Sequence, residues 1–182
     1  MARLPYADLT APQGQALVDR IVAERGSVLH LYQMLLHSPP VAEGWLGYLT
    51  AIRQKSSLSG ALRELVIMRV AILNGAAYEA EQHAPIALRE GVSQDQLEDL
   101  AQWEQSARYT SQQRAVLLLT DGMTRNVQIP ADAVRAVREF LSDREVVELV
   151  ATVGAYNMVS RFLEALDIHS TDARVPGAAA AG

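Results

Sequence analysis

The sequence predicts an all-α protein, a single-domain helical bundle of about eight or nine helices. Three observations predict it. Ala, Leu, Val, Glu and Arg dominate a chain in which aromatics are only 5%, and most of these are strong helix formers. Apolar residues recur at three- and four-residue spacing through most of the chain. No stretch alternates apolar and polar residues between turn signals, as a half-buried strand would.

The elements follow in order. "PQGQALVDRIVAERG" places Leu17, Ile21 and Val22 on one face and ends at Gly26, a C-cap residue. "SVLHLYQMLLHSPP" is expected to be a helix that stops at Pro39-Pro40, with His37 closing its terminus. Residues 41 to about 55 carry Trp45, Leu46, Leu49 and Ile52 on a third helix. Ser59 caps "GALRELVIMRVAILN", which is apolar nearly all round and therefore reads as a buried central helix. Asn74-Gly75 breaks it, and "AYEAEQHAPIALREG" follows as a fifth helix closed by Gly91. Three later starts have the spacing of a capping box: Ser93 with Gln96, Thr110 with Gln113, and Ser142 with Glu145. They open helices expected over 94–105, 111–125 and 143–166. Pro130 suits the first turn of a short helix ending near Phe140. Residues 1–172 form one domain in this reading, and 173–182, ending "RVPGAAAAG", form a flexible tail. "RELVIMRVAILNGAAY" and "REVVELVATVGAY" echo each other, a hint of two similar helix pairs.

Composition bounds the function. The chain has 182 residues and a formal net charge of −5. An acidic chain with no basic cluster makes a poor nucleic-acid partner, because such affinity rests on neutralising phosphates. There is no cysteine, which excludes disulfides, thiolate nucleophiles, thiol peroxidase chemistry and Cys-bound zinc. The N-terminus lacks the apolar core of a signal peptide. The run "LVIMRVAIL" is too short to cross a bilayer. A cytoplasmic protein with no membrane partner is expected.

The densest chemistry lies in "NGAAYEAEQH" and the helix before it. A two-residue break makes the helices on either side antiparallel neighbours. Glu64 lies ten residues before Asn74 and His83 eight after Gly75, so they fall at similar depth along the pair. Glu64 sits in an apolar helix and needs a partner, since an isolated buried charge costs several kcal/mol. His83, Tyr78, Arg63 and Arg69 are the candidates. Glu79 and His83 are four apart and share a face. Together they make a candidate acid–base cluster in an apolar bundle, a setting that shifts pKa values and suits proton transfer. The plainer alternatives are a core ion pair for Glu64, a solvated i,i+4 pair for Glu79 and His83, and ordinary packing for Tyr78. A cation held by Glu79 and His83 would need His30 or His37 as a third ligand, and no tight ligand motif supports a metal. Neither a nucleophile elbow nor a glycine-rich phosphate loop is present.

"RELVIMRVAILNGAAYEAEQHAPIALREGVS" resembles the central motif of the carboxymuconolactone decarboxylase-like superfamily, which includes alkyl hydroperoxidase D (AhpD). "DREVVELVATVGAYNMVSRFLEAL" is similar to its closing helix, and the likeness runs from about Leu35 to Leu166. The resemblance implies an all-helical homo-oligomer. In the peroxidase branch a glutamate precedes a CxxC pair by twelve residues, and a histidine follows four residues after the second cysteine. Those positions fall here on Glu64, Ala76, Glu79 and His83, with Tyr78 at the relay position between the cysteines. Both thiols are missing, so cysteine-dependent peroxide reduction is not expected. The resemblance to the decarboxylase branch implies a lyase: acid–base chemistry, decarboxylation or isomerisation, on a small unsaturated lactone or carboxylic acid. No cofactor is called for, because an unsaturated lactone can serve as its own electron sink. The true decarboxylases are shorter than this chain, which leaves the substrate open. Glu64, Tyr78, Glu79 and His83 are the expected catalytic residues, and His37, Trp45 and Asn157 the expected pocket wall. A non-catalytic oligomeric helical protein of the same fold is the competing reading. Val147, Val150, Val153 and Val159 mark the last long helix as an interface candidate.

Overall fold

The computed structural model describes residues 1–10 and 14–173. Among them the chain is all-α: α1 (Gln15–Arg25), α2 (His30–Leu35), α3 (Pro39–Gln54), α4 (Gly60–Asn74), α5 (Ala77–Arg89), α6 (Gln94–Asp99), a 3-10 turn (Leu100–Gln105), α7 (Ser111–Arg125), α8 (Ala131–Arg138) and α9 (Asp143–Leu166). Of the flexible tail expected over 173–182, all but Ala173 lies outside the described residues. The described residues group into two compact units, one within 1–51 and 163–173, the other over Ile52–Phe162.

In the first unit, α1 ends where Gly26 turns to φ 82° and donates its N–H to Val22. Pro39-Pro40 does not stop the second helix, which already ends at Leu35. The two prolines instead begin α3. Proline is tolerated there because the first N–H groups of a helix have no intrahelical acceptor. His37 does close α2, its N–H bonding to Met34 O. Arg25 reaches Thr50 (2.7 Å), tying α1 to α3.

The second unit holds α4 to α8 and most of α9. Ser59 caps α4 by accepting from Leu62 N–H at 3.3 Å. Gly75 ends it in the left-handed region at φ 66°, where a side chain would be strained. Its N–H bonds to Ile72 O and the N–H of Ala76 to Ala71 O, the paired closure of a Schellman motif. α5 then runs back along α4, and α4 also packs on α7. Leu65 and Met68 of α4 join Ala87, Val92, Leu100, Trp103, Tyr109 and Leu117 in a buried core. All three capping boxes form. The helix expected over 94–105 breaks into α6 and a 3-10 turn, with Gln102 at φ −123°, ψ 35°. The break serves a tertiary bond: Arg69 donates to the carbonyls of Leu100 (3.0 Å) and Ala101 (3.1 Å).

α9 is long and apolar enough, by length and composition, to cross a membrane. A core helix has the same properties, and that is its place here: Leu149, Val153 and Val159 are fully buried. Of the four valines read as interface residues, Val153 and Val159 therefore belong to the core. Val147 (67% exposed) and Val150 (36%) stand on the outer face.

Candidate functional site

Glu64 and His83 meet at the depth their distances from the α4–α5 turn dictate. Glu64 Oε2 is 2.6 Å from His83 Nδ1. One turn back on α5, Glu79 Oε1 is 3.2 Å from His83 Nε2. Glu64 is fully buried, and Glu79 and His83 are each 4% exposed. The other Glu64 oxygen accepts from Arg63 Nε at 3.1 Å, and Arg63 also reaches the half-exposed Glu90 at 3.4 Å.

Arg69 is not the partner of Glu64. It forms a separate buried ion pair with Asp121 on α7, both contacts at 2.6 Å. That pairing removes one structural alternative and leaves His83 and Arg63 as the groups that balance Glu64.

The protonation state follows from the geometry. An imidazole with a carboxylate on each ring nitrogen satisfies both contacts only when it carries both protons. Burial works against the charged ring, but the hydrogen bonds and charges of Glu64 and Glu79 outweigh it and raise the His83 pKa. Burial likewise pushes the Glu64 pKa up, and His83 together with Arg63 overcomes it and holds the carboxyl below its ordinary value. With His83 protonated, the two buried carboxylates are matched by two cations, His83 and Arg63. The cluster is a buried store of one transferable proton.

Tyr78 is buried on α5 beside Glu79. Asn157 on α9 is buried, and its amide is consumed by protein partners. Its oxygen accepts from Asn74 (3.1 Å) and Arg161 (2.8 Å), and its nitrogen donates to Thr124 (3.1 Å) and Val153 O (2.9 Å). That set fills its hydrogen-bonding capacity and makes it a tie between α4, α7 and α9. His37 and Trp45 belong to the first unit. His37 is exposed, with its Nε2 2.7 Å from Pro5 O, and Trp45 is buried.

Sequence reasoning missed Tyr156. Its ring packs edge-on against His83, with centroids 5.2 Å apart at 87°. Burial, reinforced by Glu79 and Glu64, drives its pKa far above the ordinary phenol value, while Arg53 and Arg63 oppose the rise. Nothing in "VGAYNMV" separates this tyrosine from a core residue. The one available signal was the echo of "GAAY" in "VGAY". No group of three or more His, Asp or Glu among the described residues is arranged to hold a metal ion.

The sequence pattern of the carboxymuconolactone decarboxylase family matches residues 39–122, a span that includes Glu64, Tyr78, Glu79 and His83. A protein of unknown function from Agrobacterium tumefaciens, described as an AhpD antioxidant defence protein, is 27% identical with a TM-score of 0.69, covering 73% of this chain and 92% of its own. These matches support assigning the chain to the carboxymuconolactone decarboxylase/AhpD-like superfamily. An uncharacterized peroxidase-related protein from Silicibacter sp. TM1040 superposes with a TM-score of 0.79 at 20% identity, over 92% of this chain and 89% of that one, a likeness of fold. The Bacillus subtilis (strain 168) protein YdfG, uncharacterized, is 26% identical over 110 residues, 59% of this chain and 75% of its own length. The chain has no cysteine, and Glu79 occupies the place where its resemblance to the peroxidase branch would put the second thiol.

Proposed function

We propose that this protein is a cytoplasmic lyase of the carboxymuconolactone decarboxylase type. It would use cofactor-independent acid–base chemistry to decarboxylate or isomerise a small unsaturated lactone or carboxylic acid. The observation that carries the reading is the imidazole clamped between two buried carboxylates, 2.6 Å and 3.2 Å away. Such a group is held in its charged form by the two carboxylates and can act as a proton donor in a site of low polarity.

In decarboxylation the bond between the substrate carbon and its carboxylate breaks. The electron pair moves into the conjugated lactone carbonyl, and carbon dioxide leaves. The resulting enolate is quenched when Nε2 of His83 delivers its proton to carbon. In isomerisation Glu79 removes a proton from one carbon and His83 returns one to another. Glu64 keeps Nδ1 protonated throughout, so Nε2 is the nitrogen that exchanges its proton. Tyr78 holds a substrate oxygen by hydrogen bond.

A non-catalytic reading also has an observation behind it. Glu64, His83, Glu79 and Arg63 satisfy one another, as a structural ion cluster would. One experiment separates the two. A panel of small unsaturated lactones and carboxylic acids is first screened by thermal shift, since a ligand that binds only the native state raises its melting temperature. Binders are then incubated in D2O and followed by NMR. Exchange of a substrate C–H for deuterium, or loss of carbon dioxide, that disappears in His83→Gln supports catalysis. Binding with no exchange and no turnover in the wild type sinks it.

A further inference from the structure

Two groups of the second unit lack hydrogen-bond and ion-pair partners among the described residues. The Tyr156 hydroxyl is buried and has no hydrogen-bond partner among the described residues. A buried hydroxyl left unpaired costs about 1–3 kcal/mol, so such an atom is ordinarily met by a water or a ligand. Arg53, in the last turn of α3, is half-buried. Among the described residues it takes part in no hydrogen bond and no ion pair. The end of α3 is tied to α9, the helix that carries Tyr156: Ser56 donates to Glu148 (3.0 Å) and Arg144 to Lys55 O (3.3 Å), and the Arg53 charge acts on the phenol. The buried charges of the cluster already balance with His83 protonated, Glu64 and Glu79 against His83 and Arg63. Arg53 adds a positive charge that no ion pair among the described residues engages, and the Tyr156 hydroxyl has a proton to donate and nothing among them to receive it.

We infer that Arg53 and Tyr156 form the carboxylate-recognition pair of this site: Arg53 binds the ligand's carboxylate, and Tyr156 donates its hydroxyl hydrogen to a ligand oxygen beside His83. The Tyr156 ring packs edge-on against the His83 ring, with centroids 5.2 Å apart, so the phenol belongs to the surroundings of the clamped imidazole. A guanidinium and a neutral phenol together select a small organic anion over its ester or amide. The phenol cannot compete by ionising, because burial, reinforced by Glu79 and Glu64, keeps it protonated. This assignment rests on the reading of the Glu64–His83–Glu79 cluster as the reactive centre, and it names the chemical class that centre accepts.

The test uses crotonate, an unsaturated monocarboxylate, with crotonamide as its neutral isostere. Each is titrated to about 100 mM into the 15N-labelled protein, a range that detects binding far weaker than millimolar. The signals read are the Arg53 Nε–H and the Tyr156 ring. Crotonate is expected to move both in a saturable way, and crotonamide is expected to leave Arg53 in place. Arg53→Gln should weaken crotonate binding about tenfold or more, the scale of losing one charged partner, and Tyr156→Phe should weaken it several-fold. Tyr156→Phe removes only the unpaired hydroxyl and should keep the melting temperature, which guards against a folding artefact. If Arg53→Gln does not fold, Arg53→Lys keeps the charge without the planar fork and should retain part of the affinity. Equal responses to the acid and the amide overturn the inference, as does no response to crotonate or undiminished binding in the folded Arg53 variants. The readout is binding at Arg53 and Tyr156. Failure of turnover alone would therefore count against the proposed catalysis and leave the recognition pair standing.

Discussion

Glu64→Gln is the substitution that isolates the role of the buried cluster. The change keeps side-chain volume and removes one negative charge 2.6 Å from His83 Nδ1 and 3.1 Å from Arg63 Nε. In the wild type two buried carboxylates face two cations. In the variant, Glu79 alone would face both, and the cluster regains neutrality by releasing the His83 proton. The His83 pKa should therefore fall. The stability loss then depends on pH. Near pH 8 the ring can be neutral, and the glutamine oxygen still accepts the Nδ1 proton. The loss should then be that of one charge-assisted bond replaced by a neutral one, about 1–2 kcal/mol. Near pH 5 the ring, which is protonated in the unfolded chain, must either give up that proton on folding or keep it without its main counter-charge, and the loss should approach the roughly 3–5 kcal/mol of a broken buried ion pair. NMR titration of the His83 ring nitrogens, with urea denaturation of both proteins at the two pH values, reads both effects. An unchanged His83 pKa, or the same stability loss at both pH values, would refute the charge balance.

Three further outcomes are expected. The Glu64 pKa lies below its ordinary value of 4.5, so its contribution is present above about pH 4.5 and is lost as pH falls through the folded value; the His83 pKa lies above 6.5, so its contribution is present below about pH 6.5 and is lost as pH rises through the folded value. A plot of unfolding free energy against pH should thus show the cluster's full effect between about 4.5 and 6.5, and His83→Gln should flatten the alkaline side of that plot. Arg69→Met breaks the buried pair with Asp121 and frees the carbonyls of Leu100 and Ala101. It should lower stability by about 3–5 kcal/mol in a denaturation curve while leaving the His83 titration in place. Arg125 and the Trp103 ring N–H also reach Asp121, each at 3.4 Å, and a loss under about 1 kcal/mol would mean that they suffice for it. We further expect the chain to assemble as a homo-oligomer through the outer face of α9, where Val147 and Met158 are exposed. Val147→Glu should then reduce the mass found by light scattering, and a wild-type mass of one chain at micromolar concentration would rule the assembly out.

Much of the helical architecture is legible without coordinates because its signals are local. A capping box needs only residues three apart, and Ser93, Thr110 and Ser142 each open a helix where their side chains satisfy the first free N–H groups. Gly26 and Gly75 end helices because each adopts a positive φ that other residues resist. The meeting of Glu64 and His83 is also nearly local. A short turn fixes two antiparallel helices, and counting residues from that turn sets the depth of each side chain. Pro39-Pro40 marked a boundary but not its direction, since the same ring that ends one helix can begin the next.

The sequence by itself determined an all-helical chain without thiol chemistry and an ionisable cluster set against apolar helices. Only the tertiary structure decided which charges pair. Arg63, Arg69, Tyr78 and His83 were all within reach of Glu64 by composition. The choice was made by Asp121, 52 residues beyond Arg69 along the chain, which claims that arginine for α7. The same holds for Arg53 and Tyr156, an arginine at a helix end and a tyrosine in an apolar run. Their sequence neighbours do not mark them, because an unmatched charge or an unpaired hydroxyl is a property of every group that packs around it. Packing brings those groups from distant helices, and one-dimensional spacing carries no record of it.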